Sequence, residues 1–346
     1  MTTLLLSGLA VTAAVCASLT TVVIPLLRRA RVVDVPGDRS LHRTPVPRGG
    51  GLAIVLAASL ATWTAVLAAV HLQGAVHAMS GVDVALMGLA TVLAFALLGL
   101  IEDLFSVSVR TRLVLQLVLG AGLGLVAHSA FEVSLWWTPA ICVGTAALVN
   151  ATNFMDGANG LACGHALLTS LWYVQVAAVA PVAGLGLVMV SVAGACLGFL
   201  PFNTPRAKVF LGDSGSYALG SAWAFAVTAC LSRGVAVEAA LAPVLVLLAD
   251  TGYTLWMRLR AGQCWYEPHR LHVYQRLVCA GWPHWASALL VTLAAAACSA
   301  LAASSLLTSN RLWMPQVAMA AVLIVYLKMP SIIGAPNPFP TLRRAR

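Results

Sequence analysis

Residues Leu4–Leu27 read LLLSGLAVTAAVCASLTTVVIPLL, 24 positions without a charged side chain, and stop at Arg28-Arg29-Ala30-Arg31. Wound as a helix, such a run reaches about 36 Å, enough to cross a hydrocarbon core of about 30 Å. It has no basic segment ahead of it, exceeds the apolar stretch of a cleavable signal and ends on arginines, so it reads as a retained spanning helix. Ten further apolar runs follow: Gly51–Val70, Val84–Ile101, Leu113–Phe131, Leu135–Val149, Leu161–Ala180, Val182–Phe199, Tyr217–Leu231, Val235–Met257, Trp285–Leu307 and Trp313–Leu327. The fifth and eighth runs are short, which leaves ten spans as the alternative count. Eleven crossings of about 20 residues use roughly 220 positions. The chain of 346 residues is 60% hydrophobic and 9% charged, with a mean hydropathy of +0.92. Soluble domains carry about 25% charged residues. A soluble enzyme, a disordered chain and a nucleic-acid binder are excluded, and an all-α polytopic membrane protein is expected.

Charge orients the spans. With the N-terminus outside, 18 of the 20 Lys and Arg residues fall on the inner side, leaving Arg233 and Arg311 outside. Basic residues mark cytoplasmic loops, so the expectation is an outer N-terminus and a cytoplasmic C-terminus. The net charge of +9 then reflects topology. Six of the eight cysteines lie in apolar runs and no CxxC pair exists, so the thiols read as small hydrophobes. Gly120-x-Gly122-x-Gly124 lies within an apolar helix without a preceding strand. It reads as small residues for close helix packing, not as a nucleotide loop.

Of eleven carboxylates, Asp83, Glu132 and Glu238 fall outside. Glu102, Asp103, Asp156, Asp213 and Asp250 sit at the inner ends of spanning runs, where an ionised group is costly and marks a site. Asp34, Asp38 and Glu267 are explained by loops alone. Asn150, Asn153, Asn159 and Asn203 join the acids. Hard oxygen donors suit Mg²⁺ or Mn²⁺ bridging to phosphates, and Arg and Lys on the same face complement phosphate charge. This is the composition of phosphoryl-transfer machinery, and without a P-loop it is not a P-loop nucleotide hydrolase. Two alternatives stand: solvated acids paired with nearby arginines, and a secondary transporter coupling ions through membrane carboxylates.

The motifs carry a resemblance. Asp34-x-Pro36-x-x-Arg39-x-x-His42-x-x-Pro45-x-Pro47-Arg48-x-Gly50-Gly51 resembles the first cytoplasmic loop of the polyprenyl-phosphate N-acetylhexosamine-1-phosphate transferases. Glu102-Asp103 with Ser108, Arg110, Arg112 and Gln116 resembles their acidic-pair loop. The stretches Asn150–Leu161 and Phe202–Ser216 resemble the second and third motifs. Asp250, with Arg270-x-x-His272 through Gln275-Arg276-Leu277 and Ala280-Gly281-Trp282, resembles the last. The sequence departs from the family in Glu102 where Asp is usual, in Asn159, and in a thinned histidine signature that keeps His272. Its wording there is nearer the members that start O-antigen or teichoic-acid polymers than the peptidoglycan translocase.

The resemblance implies one transmembrane transferase domain over 1–346, with catalytic cytoplasmic loops near 28–50, 102–112, 150–160, 200–216 and 258–284. It implies a bacterial plasma-membrane enzyme passing a sugar-1-phosphate from a UDP-N-acetylhexosamine to undecaprenyl phosphate. Within it, Asn153 and Asp213 are the expected Mg²⁺ ligands. Glu102, Asp103, Asp156 and His272 are the expected catalytic groups. His42, Arg48, Arg110, Arg112, Asn159, Lys208 and Arg270 are the expected substrate contacts. Dimeric relatives imply a homodimer.

Overall fold

The computed structural model describes residues 2–36, 44–73, 75–105, 107–180, 182–264, 266–267, 269–307 and 313–336. Four long helices come first: α1 (Thr2–Arg29), α2 (Gly51–Gln73), α3 (Ala75–Phe105) and α4 (Val109–Phe131). The centre of the chain forms α5 (Thr138–Phe154), α6 (Leu161–Val179), α7 (Leu185–Asn203) and α8 (Gly212–Ser232). Then follow α9 (Val237–Leu241), α10 (Leu245–Arg260), α11 (Val273–Cys279), α12 (His284–Ala302), α13 (Ser304–Leu307) and α14 (Met314–Ile332). Strands β1 (Val33–Asp34) and β2 (Val46–Pro47) pair antiparallel in the loop after α1, a small ladder that hydropathy alone does not signal.

Among the described residues, nine helical stretches are long and apolar enough to cross a membrane. The protein is an all-α, multi-pass membrane protein. Each apolar run of the sequence contains an α-helix, but those forming α5 and α8 are not among the nine. For α8 the reason is its surroundings. Every residue from Gly212 to Cys230 is buried, with α3 and α5 among its principal neighbours. A helix walled in by protein can carry Ser214, Ser216, Ser221 and Thr228, because it meets side chains where others meet lipid tails.

The run Val235–Met257 is one interrupted helix. Pro243 lies in a 3₁₀ turn, Ala242–Val244, between α9 and α10. Proline has no N–H to return to the carbonyl four residues back, which is that of Ala239. Trp172 Nε1 donates to that carbonyl at 2.8 Å, and Tyr173 OH donates to Ala240 O at 2.8 Å. Beside them, His165 Nε2 lies 2.8 Å from Pro243 O. One face of α6 thus satisfies the break, as an apolar surrounding requires.

Small residues set the helix spacing. A Cβ on Gly120 would lie 2.8 Å from Cys142 O, and one on Gly124 would lie 2.6 Å from the Thr138 side chain, whereas Gly122 has nothing within 4 Å. Gly120 and Gly124 of the triplet therefore form an α4–α5 contact, and Gly122 does not. A close approach also brings α3 onto α8, where a Cβ on Gly99 would stand 2.2 Å from Asp213 O.

A cavity of about 1170 Å³ opens between α4, α5, α8 and α9, with Glu132 and Glu238 in a largely aliphatic lining. It lies at the helix ends opposite those carrying the acidic motifs, and it contains none of them. Gly99→Ala should lower unfolding stability by about 1–3 kcal/mol through overpacking against backbone. Gly122→Ala should stay within about 0.5 kcal/mol of the parent. Denaturant unfolding in detergent, followed by tryptophan fluorescence, reads both.

Candidate active site at the helix ends

The first N–H groups of a helix have no partner within it, and α8 begins inside the bundle. Asp103, on the last turn of α3, supplies the partner. Its Oδ1 accepts the Asp213 N–H and its Oδ2 the Ser214 N–H, each at 2.9 Å. A carboxylate there also meets the positive end of the helix dipole. Gly212 (φ +76°) leads into this turn, and a Cβ on it would reach within 2.8 Å of both Asp103 Oδ2 and Gly49 Cα.

Arg48 completes the junction. Its Nε lies 2.9 Å from Asp103 Oδ1, and its Nη2 pairs with Asp213 Oδ2. The guanidinium is placed by backbone: Arg48 N–H donates to Val32 O, Phe210 N–H to Pro47 O and Gly50 N–H to Phe210 O. From the last turn of α5, Asn153 Nδ2 donates to Asp213 Oδ1 at 2.6 Å and to Ser216 Oγ at 3.0 Å. Asp103, Asp213, Asn153 and Arg48 thus come from four separate segments and meet at one point.

Glu102 faces elsewhere. Its carboxylate accepts the Val107 N–H at 3.1 Å and lies 3.4 Å from Arg112 Nη1, so it braces the α3–α4 turn. Beside Asp213 opens a cleft of about 280 Å³, lined by residues that include Asp34, Arg48, Asn153, Asp156, Asn159, Asp213, Gln275 and His284. Asp156 is half-buried in its wall, and its carboxylate accepts no hydrogen bond among the described residues. Burial first, then the charges of Asp213 and Asp103, push its pKa well above the usual carboxylate range, with Arg48 opposing.

Asn159 Nδ2 donates to Pro205 O at 3.1 Å, and its N–H to His284 Nδ1 at 3.3 Å. Asn203, buried, clamps two loops: its Oδ1 accepts the Gly160 N–H at 2.7 Å and its Nδ2 donates to Val209 O at 3.1 Å.

The other expected residues lie apart from the cleft lining. His272 is buried and pairs through Nδ1 with Asp250 at 3.0 Å. Beside it lies His269, its ring tilted by 40° with 4.9 Å between ring centroids. Its pKa is pushed down to about 4, by burial and then by His272 and Arg258. Lys208 is exposed, its ammonium 5.8 Å from the Phe202 ring. Arg110 is exposed on α4 and Arg270 is half-buried in the loop before α11. His42 lies outside the described residues. Asp34, Gln275 and His284 line the cleft without having been marked by the sequence reading. Asp34 and Gln275 lie inside quoted motifs, so their positions were visible and their roles were not.

Among the described residues no three His, Cys, Asp or Glu side chains form a group able to hold a metal ion unaided. The donors present are the Asp213 and Asp156 carboxylates and the Asn153 amide. One or two carboxylates, with substrate phosphates and water completing the shell, is how Mg²⁺ is usually held. The Asp156 carboxylate, without a hydrogen-bond partner among the described residues, fits that donor set.

The profile of glycosyl transferase family 4 matches residues 84–231, a segment that runs from α3 through α8. The chain is 31% identical over 322 residues to the decaprenyl-phosphate N-acetylglucosaminephosphotransferase of Mycobacterium tuberculosis (strain ATCC 25618 / H37Rv), covering 83% of this chain and 78% of that one. It is 28% identical over 297 residues to a probable undecaprenyl-phosphate N-acetylglucosaminyl 1-phosphate transferase of Bacillus subtilis, covering 80% and 79%. It is 33% identical over 236 residues to the phospho-N-acetylmuramoyl-pentapeptide-transferase of Desulforudis audaxviator, covering 58% and 68%. The chain therefore belongs to glycosyl transferase family 4, the polyprenyl-phosphate N-acetylhexosamine-1-phosphate transferase superfamily that its motifs resemble.

Replacing Asn203 by Ala leaves the Gly160 N–H and Val209 carbonyl without their partner. Each unsatisfied buried group costs about 1–3 kcal/mol, so a loss of at least that size is expected in unfolding stability. Limited proteolysis should show faster cleavage in 156–160 and 204–211.

Proposed function

We propose that this chain transfers an N-acetylhexosamine-1-phosphate from a UDP-sugar to a polyprenyl phosphate, undecaprenyl phosphate in a bacterial plasma membrane, and releases UMP. The product is the polyprenyl diphosphate-linked sugar on which a cell-envelope polysaccharide is then built. In this reading the chain crosses the bilayer eleven times with its N-terminus outside. The cleft then faces the cytoplasm, where the nucleotide sugar arrives and the lipid phosphate lies at the leaflet surface.

The observation that carries the reading is the meeting of Asp103, Asp213, Asn153 and Arg48 at the start of α8, beside an Asp156 carboxylate that has no hydrogen-bond partner among the described residues. Their place at helix ends also weighs against a transporter, whose acids belong near the midplane.

In the reaction, an oxygen of the lipid phosphate bonds to the β-phosphorus of the donor. The bond from that phosphorus to the bridging oxygen breaks, and its electrons leave with UMP. The bond between sugar C1 and oxygen is untouched, so the anomeric configuration is retained. The difficulty is electrostatic, because two anions must meet in a cleft that already holds Asp34, Asp156 and Asp213 against Arg48. Mg²⁺, with Mn²⁺ as the alternative, would be held by Asp213, Asn153 and Asp156, and when bound it neutralises the donor diphosphate.

The chain's own groups do the positioning. Asp103 has both oxygens committed to backbone N–H groups, and Arg48 also lies against Oδ1. It could take a proton from the lipid phosphate only by releasing one of them. Its part is to hold Asp213 and Arg48 in place. Glu102 presents Arg112 toward the acceptor phosphate. Arg110 and Lys208, both exposed, attract both anions, and Asn159 contacts the nucleobase.

Purified protein given undecaprenyl phosphate and UDP-N-acetylglucosamine should release UMP only with a divalent cation present. Asp213→Ala and Asp103→Asn should each reduce release to background while the protein stays monodisperse. Wild-type release from both variants would overturn the assignment. A panel of UDP-N-acetyl sugars under the same assay identifies the donor.

A further inference from the structure

Asp250, on α10, is fully buried, and four donors converge on it. Its Oδ1 lies 3.0 Å from His272 Nδ1 and 3.2 Å from Thr254 Oγ1. Its Oδ2 accepts the Tyr326 hydroxyl at 2.7 Å. The Val273 N–H is shared between the two oxygens at 3.2 and 3.1 Å. Each donor comes from a different place: the next turn of α10, the loop and first residue of α11, and α14.

A carboxylate accepts and does not donate, so in this pairing the His272 proton sits on Nδ1. At the start of α11 the His272 side chain also meets the Gln275 N–H, in a capping box whose other half is Gln275 Oε1 accepting the His272 N–H at 3.2 Å. The ring lies between aromatic neighbours, with centroids 6.1 Å from both Phe154 and Tyr274. Phe154 follows Asn153, and its carbonyl accepts the Tyr274 hydroxyl at 2.9 Å. His272 is thereby fixed in tautomer, in ring orientation and against the end of the helix that carries Asn153.

We propose that Asp250 is the positioning residue for His272. It holds the ring so that Nε2 is the nitrogen offered to the sugar-phosphate substrate, and Tyr326 holds Asp250 for that purpose. The inference rests on the transfer reaction proposed above and on the expectation, carried by the motif resemblance, that His272 is one of its catalytic groups. It assigns a functional part to α14, which lies outside the segment matched by the family profile. The competing account is that Asp250 only knots α10, α11 and α14 together.

A double-mutant cycle separates the two, because a positioning effect vanishes once its target is removed and a structural effect does not. The full chain is assayed with undecaprenyl phosphate and UDP-N-acetylglucosamine for Asp250→Ala, Asp250→Asn, His272→Ala and the Asp250→Ala/His272→Ala double variant. Asp250→Ala should lower kcat by roughly 100-fold, the scale of a misplaced catalytic group, with KM for both substrates little changed. Asp250→Asn should recover most of the loss, since an amide oxygen still accepts the Nδ1–H. The double variant should be no slower than His272→Ala.

A double variant slowed by the product of the two single effects overturns the proposal. So does an Asp250→Ala loss confined to KM, or wild-type kcat in that variant. Where Asp250→Ala does not yield folded protein, Tyr326→Phe takes its place in the cycle. It should lower kcat several-fold in the parent and not at all in the His272→Ala background; a loss persisting there overturns the proposal. Wild-type turnover by His272→Ala would sink the part given to His272 in the transfer reaction, and this inference with it. A slowed His272→Ala with independent Asp250 effects sinks this inference alone.

Discussion

A helix that starts inside a membrane bundle must find acceptors for N–H groups that lipid cannot satisfy and water does not reach. For α8 that acceptor is Asp103, and much of the site follows from it. Holding a carboxylate over the first turn of α8 requires α3 to approach until only Gly99 fits at the crossing. It also gathers negative charge, since Asp103 and Asp213 end up side by side. Arg48 offsets that charge, and a guanidinium reaches both only because the backbone of 46–51 runs along 210–211. The cap that lets the helix exist and the geometry of the candidate site are one interaction.

The same interaction divides labour among the acids. Asp103 has no oxygen to spare, and Glu102 turns toward Arg112 and the α3–α4 connection. Asp213 shares its carboxylate between Arg48 and Asn153. Asp156 alone of these four makes no side-chain hydrogen bond among the described residues, and burial, followed by its like-charged neighbours, raises its proton affinity. A wall of this kind repels a diphosphate until positive charge joins it. That accounts physically for pairing an acidic cleft with a substrate that is itself an anion.

How far the sequence carried depended on whether a property was local. Apolar runs and arginine placement are local, and they located the helices and gathered the acids on one side; Asp103 and Asp213, 110 residues apart in sequence, meet as that gathering requires. Hydropathy could not say whether a helix faces lipid or protein, so α8 looked like a weak span when it is a core helix. It also could not see that Pro243 breaks a run that is apolar on both sides. The site residues were legible as residue types in motifs. Their partners were not: Asp250 draws on donors 4, 22, 23 and 76 positions away, and no spacing rule links these. His284 had no signal at all, because its place beside Asn159 depends on how α12 enters the bundle.

The broken helix shows how a distant part of the fold bears on the site. An uninterrupted helix through 237–260 would send α10 straight on along the axis of α9. The break at Pro243 removes that constraint, and the donors of α6 fix the result, since Trp172 and Tyr173 satisfy carbonyls freed around the turn. That places Asp250, in the second turn of α10, where the start of α11 can reach it. Tyr274 then links this second cluster to the first, its hydroxyl on Phe154 O and its backbone carbonyl accepting from Ser287. A Cβ on Gly157 would collide with that hydroxyl at 2.2 Å, so the loop bearing Asp156 is shaped around the same tyrosine. The acidic cleft and the buried Asp250–His272 pair are therefore joined through a few contacts at the end of α5, and moving either cluster means breaking hydrogen bonds that hold the other.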